Sequence, residues 1–187
     1  AILARTMNIP ALIGVDFPEE GVDGQFGIVD GFDAKFFVEP DEDTKAEYRK
    51  LKEENEQKKE YLKSYRRAIK REQDILDEIQ RLRLDKMFPS VVNDGMPHGS
   101  SHSDLSDYAA ILNEQIDLLK EERLEKVRCY QKIERQISRM ENEDEQEVLR
   151  LRYILGMKWE EVAVKMGYSW KQTHRIHSSA LKNFKMT

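Results

Sequence analysis

The segment "YSWKQTHRIHSSALKNFK" concentrates side chains that can do chemistry. Wound as a helix, it places Thr173, Ile176, Ala180, Leu181 and Phe184 at spacings of three and four, an inner face. Ser169, Trp170, Lys171, Gln172, His174, Arg175, Ser178 and Lys182 are left to the other faces. Gln and Arg side chains can form paired hydrogen bonds with base edges, while Lys, Ser and the free N–H groups of a helix start hold phosphate oxygens. The composition suits contact with duplex DNA. Lys171, Gln172 and Arg175 are expected as groove readers, Trp170 and His174 flank them, and Lys158, Lys165, Lys182 and Lys185 lie toward the backbone. A three-helix packing unit with a solvated basic face is the plainer alternative.

The elements that must position this helix can be read upstream of it. "WEEVAVKM" puts Val162, Ala163 and Met166 on one face of a short helix over 159–166, with Ala163 small enough to let a second helix cross closely. Gly167 then turns the chain, as a residue without Cβ can. Ser169 is the candidate N-cap of the helix that follows, over 169–185. A first helix over 144–155 completes a three-helix unit spanning 144–187.

The charge balance singles out the same end. The chain of 187 residues has a net charge of −5, which alone says little about partners. After Val148, however, only Glu160 and Glu161 are acidic, against Arg150, Arg152, Lys158, Lys165, Lys171, Arg175, Lys182 and Lys185. The first sixty residues are strongly acidic, so a polyanion would be drawn to the C-terminal end alone.

Between these ends the sequence reads as a helical hairpin. Residues 44–86 are expected as one long helix whose seam is Tyr61, Tyr65, Ala68, Ile75, Ile79 and Leu82, interrupted by Glu72. "FPSVVNDGMPHGSSHSD", with two prolines and two glycines, predicts a loop over 87–104 and offers Ser103 or Asp104 as the next N-cap. The second helix, 105–141, carries a stripe of Tyr108, Ile111, Leu112, Ile116, Leu119, Val127, Tyr130, Ile133, Ile137 and Met140. Each stripe needs a partner, and the two are expected to supply one another. Ahead of them, residues 1–43 hold the short apolar runs "IPALIGV", "FGIV" and "AKFFVE" separated by Asp-Gly turns, which predict short strands. The expected fold is therefore mainly α: a long antiparallel helical hairpin, then a three-helix helix-turn-helix domain, with a small β-containing fragment in front.

Two stretches resemble known families. "EQEVLRLRYILGMKWEEVAVKMGYSWKQTHRIHSSALKNF" is similar to region four of bacterial RNA polymerase sigma factors. With the hairpin in front, Tyr61 to Met186 resembles a family of small phage and prophage proteins of low-GC Gram-positive bacteria, related to late-gene transcription regulators. That resemblance implies a DNA-binding regulator, and no segment similar to the promoter-melting sigma region is visible. "AILARTMNIPALIGVD", running on to "EPDEDTKAEYRKLKEENE", resembles the end of the swivelling phosphohistidine domain of enzyme I, the phosphoenolpyruvate-protein phosphotransferase of the sugar phosphotransferase system. In that family a Ser/Thr-His-Thr/Ser triplet directly precedes "AILAR", and its His accepts the phosphoryl group. Arg5 matches a family position near that site. The alternative expectation is thus a truncated enzyme I, inactive for want of the His, and the resemblance speaks for ancestry rather than activity.

Other candidates are weaker. Cys129 is the single cysteine, so no internal disulfide and no cysteine-based zinc site is available. His98, His102, Asp94 and Asp104 fall in the polar loop, where nothing rigid would fix metal ligands. His174 and His177 are three apart, and His177 is expected at the helix interface. Glu160 and Glu161 are adjacent and so do not share a face. No catalytic residue, cofactor or metal is expected. A reducing, cytoplasmic setting and no membrane partner follow from the cysteine count and from the lack of a long apolar run. The expected partner is duplex DNA, with RNA polymerase, or a second copy through the hairpin, as further partners the reading allows. A purely structural coiled-coil adaptor is the remaining alternative.

Overall fold

The computed structural model of the chain describes residues 24–30, 35–87 and 102–186. Strands β1 (Gly27–Asp30) and β2 (Lys35–Val38) pair antiparallel, with Gly27 opposite Val38 and Asp30 opposite Lys35. These correspond to "FGIV" and "AKFFVE"; the run "IPALIGV" and Arg5 lie outside the described residues. Among the described residues the α-helices that follow are α1 (Glu42–Met87), α2 (His102–Ile137), α3 (Glu143–Leu149), α4 (Trp159–Met166) and α5 (Trp170–Asn183).

Asp41 starts α1 by accepting the Thr44 amide at 2.8 Å, and hydrogen bonding to Thr44 holds its carboxyl below the usual range. The β hairpin leans on the first turns of α1: the Tyr48 hydroxyl donates to Asp30 at 2.8 Å, and its ring meets Phe37 at 5.6 Å. Helices α1 and α2 then run antiparallel. Tyr65 lies opposite Tyr130, Glu72 opposite Arg123 and Lys126, and Lys86 over the Tyr108 ring.

The seam between them corrects the stripe expected from sequence. On α2 it passes through Tyr108, Leu112, Leu119, Glu122, Lys126, Cys129 and Ile133, a 3.5-residue repeat, while Ile111 (47%), Val127 (48%) and Tyr130 (40%) remain exposed. The reason is Glu72. It occupies a seam position on α1, its side chain only 12% exposed, and it accepts from Arg123 at 3.0 Å and from Lys126. A carboxylate there draws Lys126 into the seam and turns Val127 out. The two cations hold the Glu72 carboxyl below its ordinary range, Lys126 most of all. The start of α2 differs as well. It begins at His102, so Ser103 and Asp104 fall within its first turn rather than ahead of it as caps.

The end of the hairpin where α2 terminates, opposite Leu62 of α1, is built into the C-terminal unit. Leu62, which the apolar stripe on α1 omits, is fully buried with Ile133, Ile137, Val148, Leu149, Val162, Leu181 and Phe184. Asn142 caps α3, accepting the Glu145 amide at 3.1 Å. The helix expected to run on to Leu155 instead widens into a π-helical turn over Arg150–Ile154, closed by the Leu155 amide donating to the Arg150 carbonyl at 2.9 Å. This turn is flanked by α1 on one side and α4 and α5 on the other, so both Leu151 and Tyr153 find interior positions. Gly156 ends it with φ +70°, a conformation that suits glycine.

If Leu62 ties the hairpin to the C-terminal core, Leu62→Ala lowers unfolding stability by about 2–5 kcal/mol. Val127→Ala, on the exposed face, changes it by less than ~0.5 kcal/mol. Urea denaturation of both variants checks the corrected seam; the opposite order contradicts it.

Candidate nucleic-acid interface

The turn between α4 and α5 is fixed by backbone chemistry at both ends. Gly167 takes φ +70°, and the Gly167 and Tyr168 amides donate to the Val164 and Ala163 carbonyls at 3.2 and 3.1 Å. At the far end of α4, the Glu161 carboxylate accepts the Lys158 amide at 2.7 Å. The Tyr168 hydroxyl donates to Asp144 at 2.8 Å, clamping the turn to the start of α3. Ser169 then caps α5, its hydroxyl accepting the Gln172 amide at 3.2 Å, and the Thr173 hydroxyl donates to the Ser169 carbonyl at 3.1 Å.

Each face of α5 is committed to a different task. Thr173, His177, Ala180, Leu181 and Phe184 are buried, with Phe184 meeting Tyr61 at 6.1 Å. One flank is held by a carboxylate: Glu145, itself buried, accepts from the Ser179 hydroxyl and, through both of its oxygens, from the Asn183 amide at 3.0 and 2.9 Å. The last turn is held by Lys58 of α1, which donates to the Leu181 carbonyl at 2.7 Å where a helix C-terminus favours a cation. Burial lowers the Lys58 pKa from its usual value.

The opposite flank is aromatic. His174 lies between Trp159 at 4.3 Å and Trp170 at 3.9 Å, and the Arg152 guanidinium covers Trp159 at 4.8 Å. Trp170 and His174 are therefore half-buried packing residues, not the free outward groups that spacing alone suggested. Burial lowers the His174 pKa, and the nearby Arg152 charge adds to this. His177 is held at the interface as expected. Its Nε2 sits 3.0 Å from the Tyr153 hydroxyl, and burial above all pushes its pKa down to about 3, helped by His174, Lys59 and Arg152. Burial pushes Tyr153 up to about 12, so the hydrogen bond joins a protonated phenol to a neutral imidazole.

What remains is the outer stripe. Lys171, Arg175, Ser178 and Lys182 follow one another at steps of four, three and four, so they line one side of α5. Lys171, Arg175 and Lys182 are exposed, and among the described residues none of the three has an ion pair. Gln172 is half-buried beside the stripe, and the Ser169 hydroxyl is engaged in its cap. Lys158, Lys165 and Lys185 are exposed as well. Of the metal candidates, Asp94, His98 and the side chains of His102 and Asp104 lie outside the described residues. No group of three or more His, Cys, Asp or Glu that could hold a metal occurs among the described residues, and none of their helices is long and apolar enough to cross a membrane.

Residues 87–185 match the family described as Protein of unknown function (DUF1492). The match spans α2 to α5 and more than half of the chain, which therefore belongs to that family. A stretch of 65 residues is 45% identical to a phosphoenolpyruvate-protein phosphotransferase of Priestia megaterium, covering 34% of this chain but only 11% of that protein. No solved structure matches the chain.

The buried His177 sets a pH dependence. Its pKa is about 3 when folded and near the ordinary 6.5 when unfolded, so between these values the unfolded state binds the extra proton. Stability is fully present above pH 6.5 and falls as the pH drops toward 3, by at most about 1.4 kcal/mol per pH unit from this group. His174, shifted in the same direction, adds to the fall. The expected outcome is a flatter stability profile below pH 6.5 for His177→Gln, measured by denaturant unfolding at several pH values; an unchanged slope contradicts the assignment.

Proposed function

We propose that the chain binds duplex DNA through α5, as a transcription regulator of the helix-turn-helix kind found in phages and prophages. The observation that carries this reading is the outer stripe of α5. It presents exposed cations that have no ion pair among the described residues, on a helix whose other faces are engaged in packing. A surface of this kind is costly for nothing but solvent: like charges repel along a helix face by a few tenths of a kcal/mol per pair. Phosphates relieve that repulsion and release their own counterions on contact.

The geometry fits the chemistry of groove entry. A short helix, a glycine-closed turn and a capped second helix form the unit in which the first turns of the second helix reach base edges. Lys171 and Arg175 stand in those first turns, and Gln172 lies next to them. Ser178 and Lys182, farther along, would meet the sugar–phosphate backbone, together with Lys158, Lys165 and Lys185. The resemblance of Glu145 to Phe184 to sigma region four supports the same assignment, with gene regulation as the role.

A second reading is favoured by the 45% identical stretch shared with the Priestia megaterium phosphotransferase. The chain spans about a tenth of that protein's length, and the likeness supports common descent of one zone, not transfer of its activity.

The test is fluorescence anisotropy of the full chain on a pool of duplexes at about 50 mM salt. Arg175→Ala is expected to weaken binding to preferred duplexes by about 1–3 kcal/mol, or roughly 5–150-fold, and to relax sequence preference. Lys171→Ala is expected to weaken it as well. Absence of duplex binding at low salt, or indifference to both substitutions, overturns the reading.

A further inference from the structure

A cleft of about 650 Å³ opens between α1 and the C-terminal unit, beside the outer stripe of α5. Its charged lining is Lys59, Lys63 and Arg66 from α1 and Arg152 from the π turn, against the single carboxylate of Glu56. Ser178 of α5 belongs both to this cleft and to the stripe, so the two surfaces are continuous.

The cations differ in how they are held. Arg152 is fixed, donating to the Met157 carbonyl at 2.7 Å and lying over Trp159. Arg66 is seated over Gly156: a Cβ at that glycine would stand 2.5 Å from the Arg66 Cζ, so the bare backbone is what lets the guanidinium settle there. Among the described residues Arg66 has no hydrogen bond and no ion pair, which leaves its five donors unspent. Lys59 and Lys63 pair with Glu56 and Glu60 one turn back on α1, at 2.7 and 2.8 Å. Exposed pairs of that kind are weak and yield readily to a phosphate. A planar guanidinium with free donors beside a second, fixed guanidinium is the arrangement that takes phosphate oxygens in paired bonds.

We propose that this cleft holds the sugar–phosphate backbone of the duplex whose groove α5 enters, so that the long helix α1 is part of the DNA-binding surface. The proposal rests on the duplex reading above and extends it to the hairpin. Contacts of this type position the duplex and carry no sequence information. Arg66 and Lys63 should therefore govern salt dependence, and Arg175 should govern sequence preference.

The experiment compares the full chain with the double variant Arg66→Gln, Lys63→Gln by the slope of log K against log salt on duplex DNA. Arg49→Gln, Lys50→Gln, which removes the same charge from an exposed part of α1 outside the cleft, serves as the control. The expected result, in the cleft variant alone, is a slope shallower by about 0.9 for each phosphate that is no longer neutralised, with roughly tenfold or greater weakening at about 0.1 M salt and sequence preference intact. Circular dichroism confirms that both variants fold. Tight binding by the parent chain with an unaltered slope in the cleft variant overturns the cleft assignment and leaves the groove reading standing. No duplex binding by the parent chain overturns both. Thermal stabilisation of the parent chain by inorganic pyrophosphate, abolished in the cleft variant while the duplex slope is unchanged, would show that the cleft takes a free phosphoryl ligand, and would overturn its assignment to the duplex.

Discussion

The C-terminal unit depends on the burial of one face of α5. Thr173, His177, Ala180, Leu181 and Phe184 are pressed against α3, α4, the π turn and α1, and each large apolar side chain so buried is worth about 1.5–3 kcal/mol. Because the helix cannot rotate without exposing this face, the direction of every other side chain on α5 is settled by it. Glu145 on one flank and the Trp159–His174–Trp170 stack on the other remove the remaining freedom. The outer stripe is thus presented by a fixed helix, and a surface held this way loses little conformational entropy on meeting a ligand.

The hairpin is joined to the same core through Leu62, Ile133 and Ile137, so the end it packs there cannot swing independently of α5. This is why α1 contributes to the surroundings of α5 at all. Lys58 caps its last turn, and Lys59, Lys63 and Arg66 stand along the neighbouring cleft. Farther along, Glu72 places a partly buried ion pair where an apolar side chain would pack better. Burial of such a pair brings little net stability, while its geometry distinguishes one register of the two helices from another.

The mainly helical architecture was legible because its signals are local and strong. Gly167 and Ser169 declare their turn and cap by residue type, and the inner face of α5 follows from a 3.6-residue period. Other features are not legible, each for a reason that lies between elements. Apolar spacing alone runs the α2 stripe through Val127 and Tyr130, whereas Glu72 on the other helix makes Lys126 face inward. The π turn has no residue signature of its own in "RLRYI"; it follows from packing on two sides. Trp170 and His174 read as outward groups because spacing cannot reveal that Trp159, eleven residues before Trp170, reaches across to His174, which Trp170 meets in turn. Within the candidate interface, Lys171, Arg175 and Lys182 were identifiable from one helix, whereas Arg66 was not. Its relevance comes from lying over Gly156, ninety residues later in the chain.

The central claim is that the outer stripe of α5 is the surface this chain uses. Amide chemical-shift mapping of the ¹⁵N-labelled full chain on addition of duplex DNA tests it most directly. The predicted result is that the largest changes fall between Ser169 and Lys182 and around Gly156, while the far end of the hairpin, near Ile111 and Leu118, is silent. Changes centred on that far end, or none within α5, would contradict it.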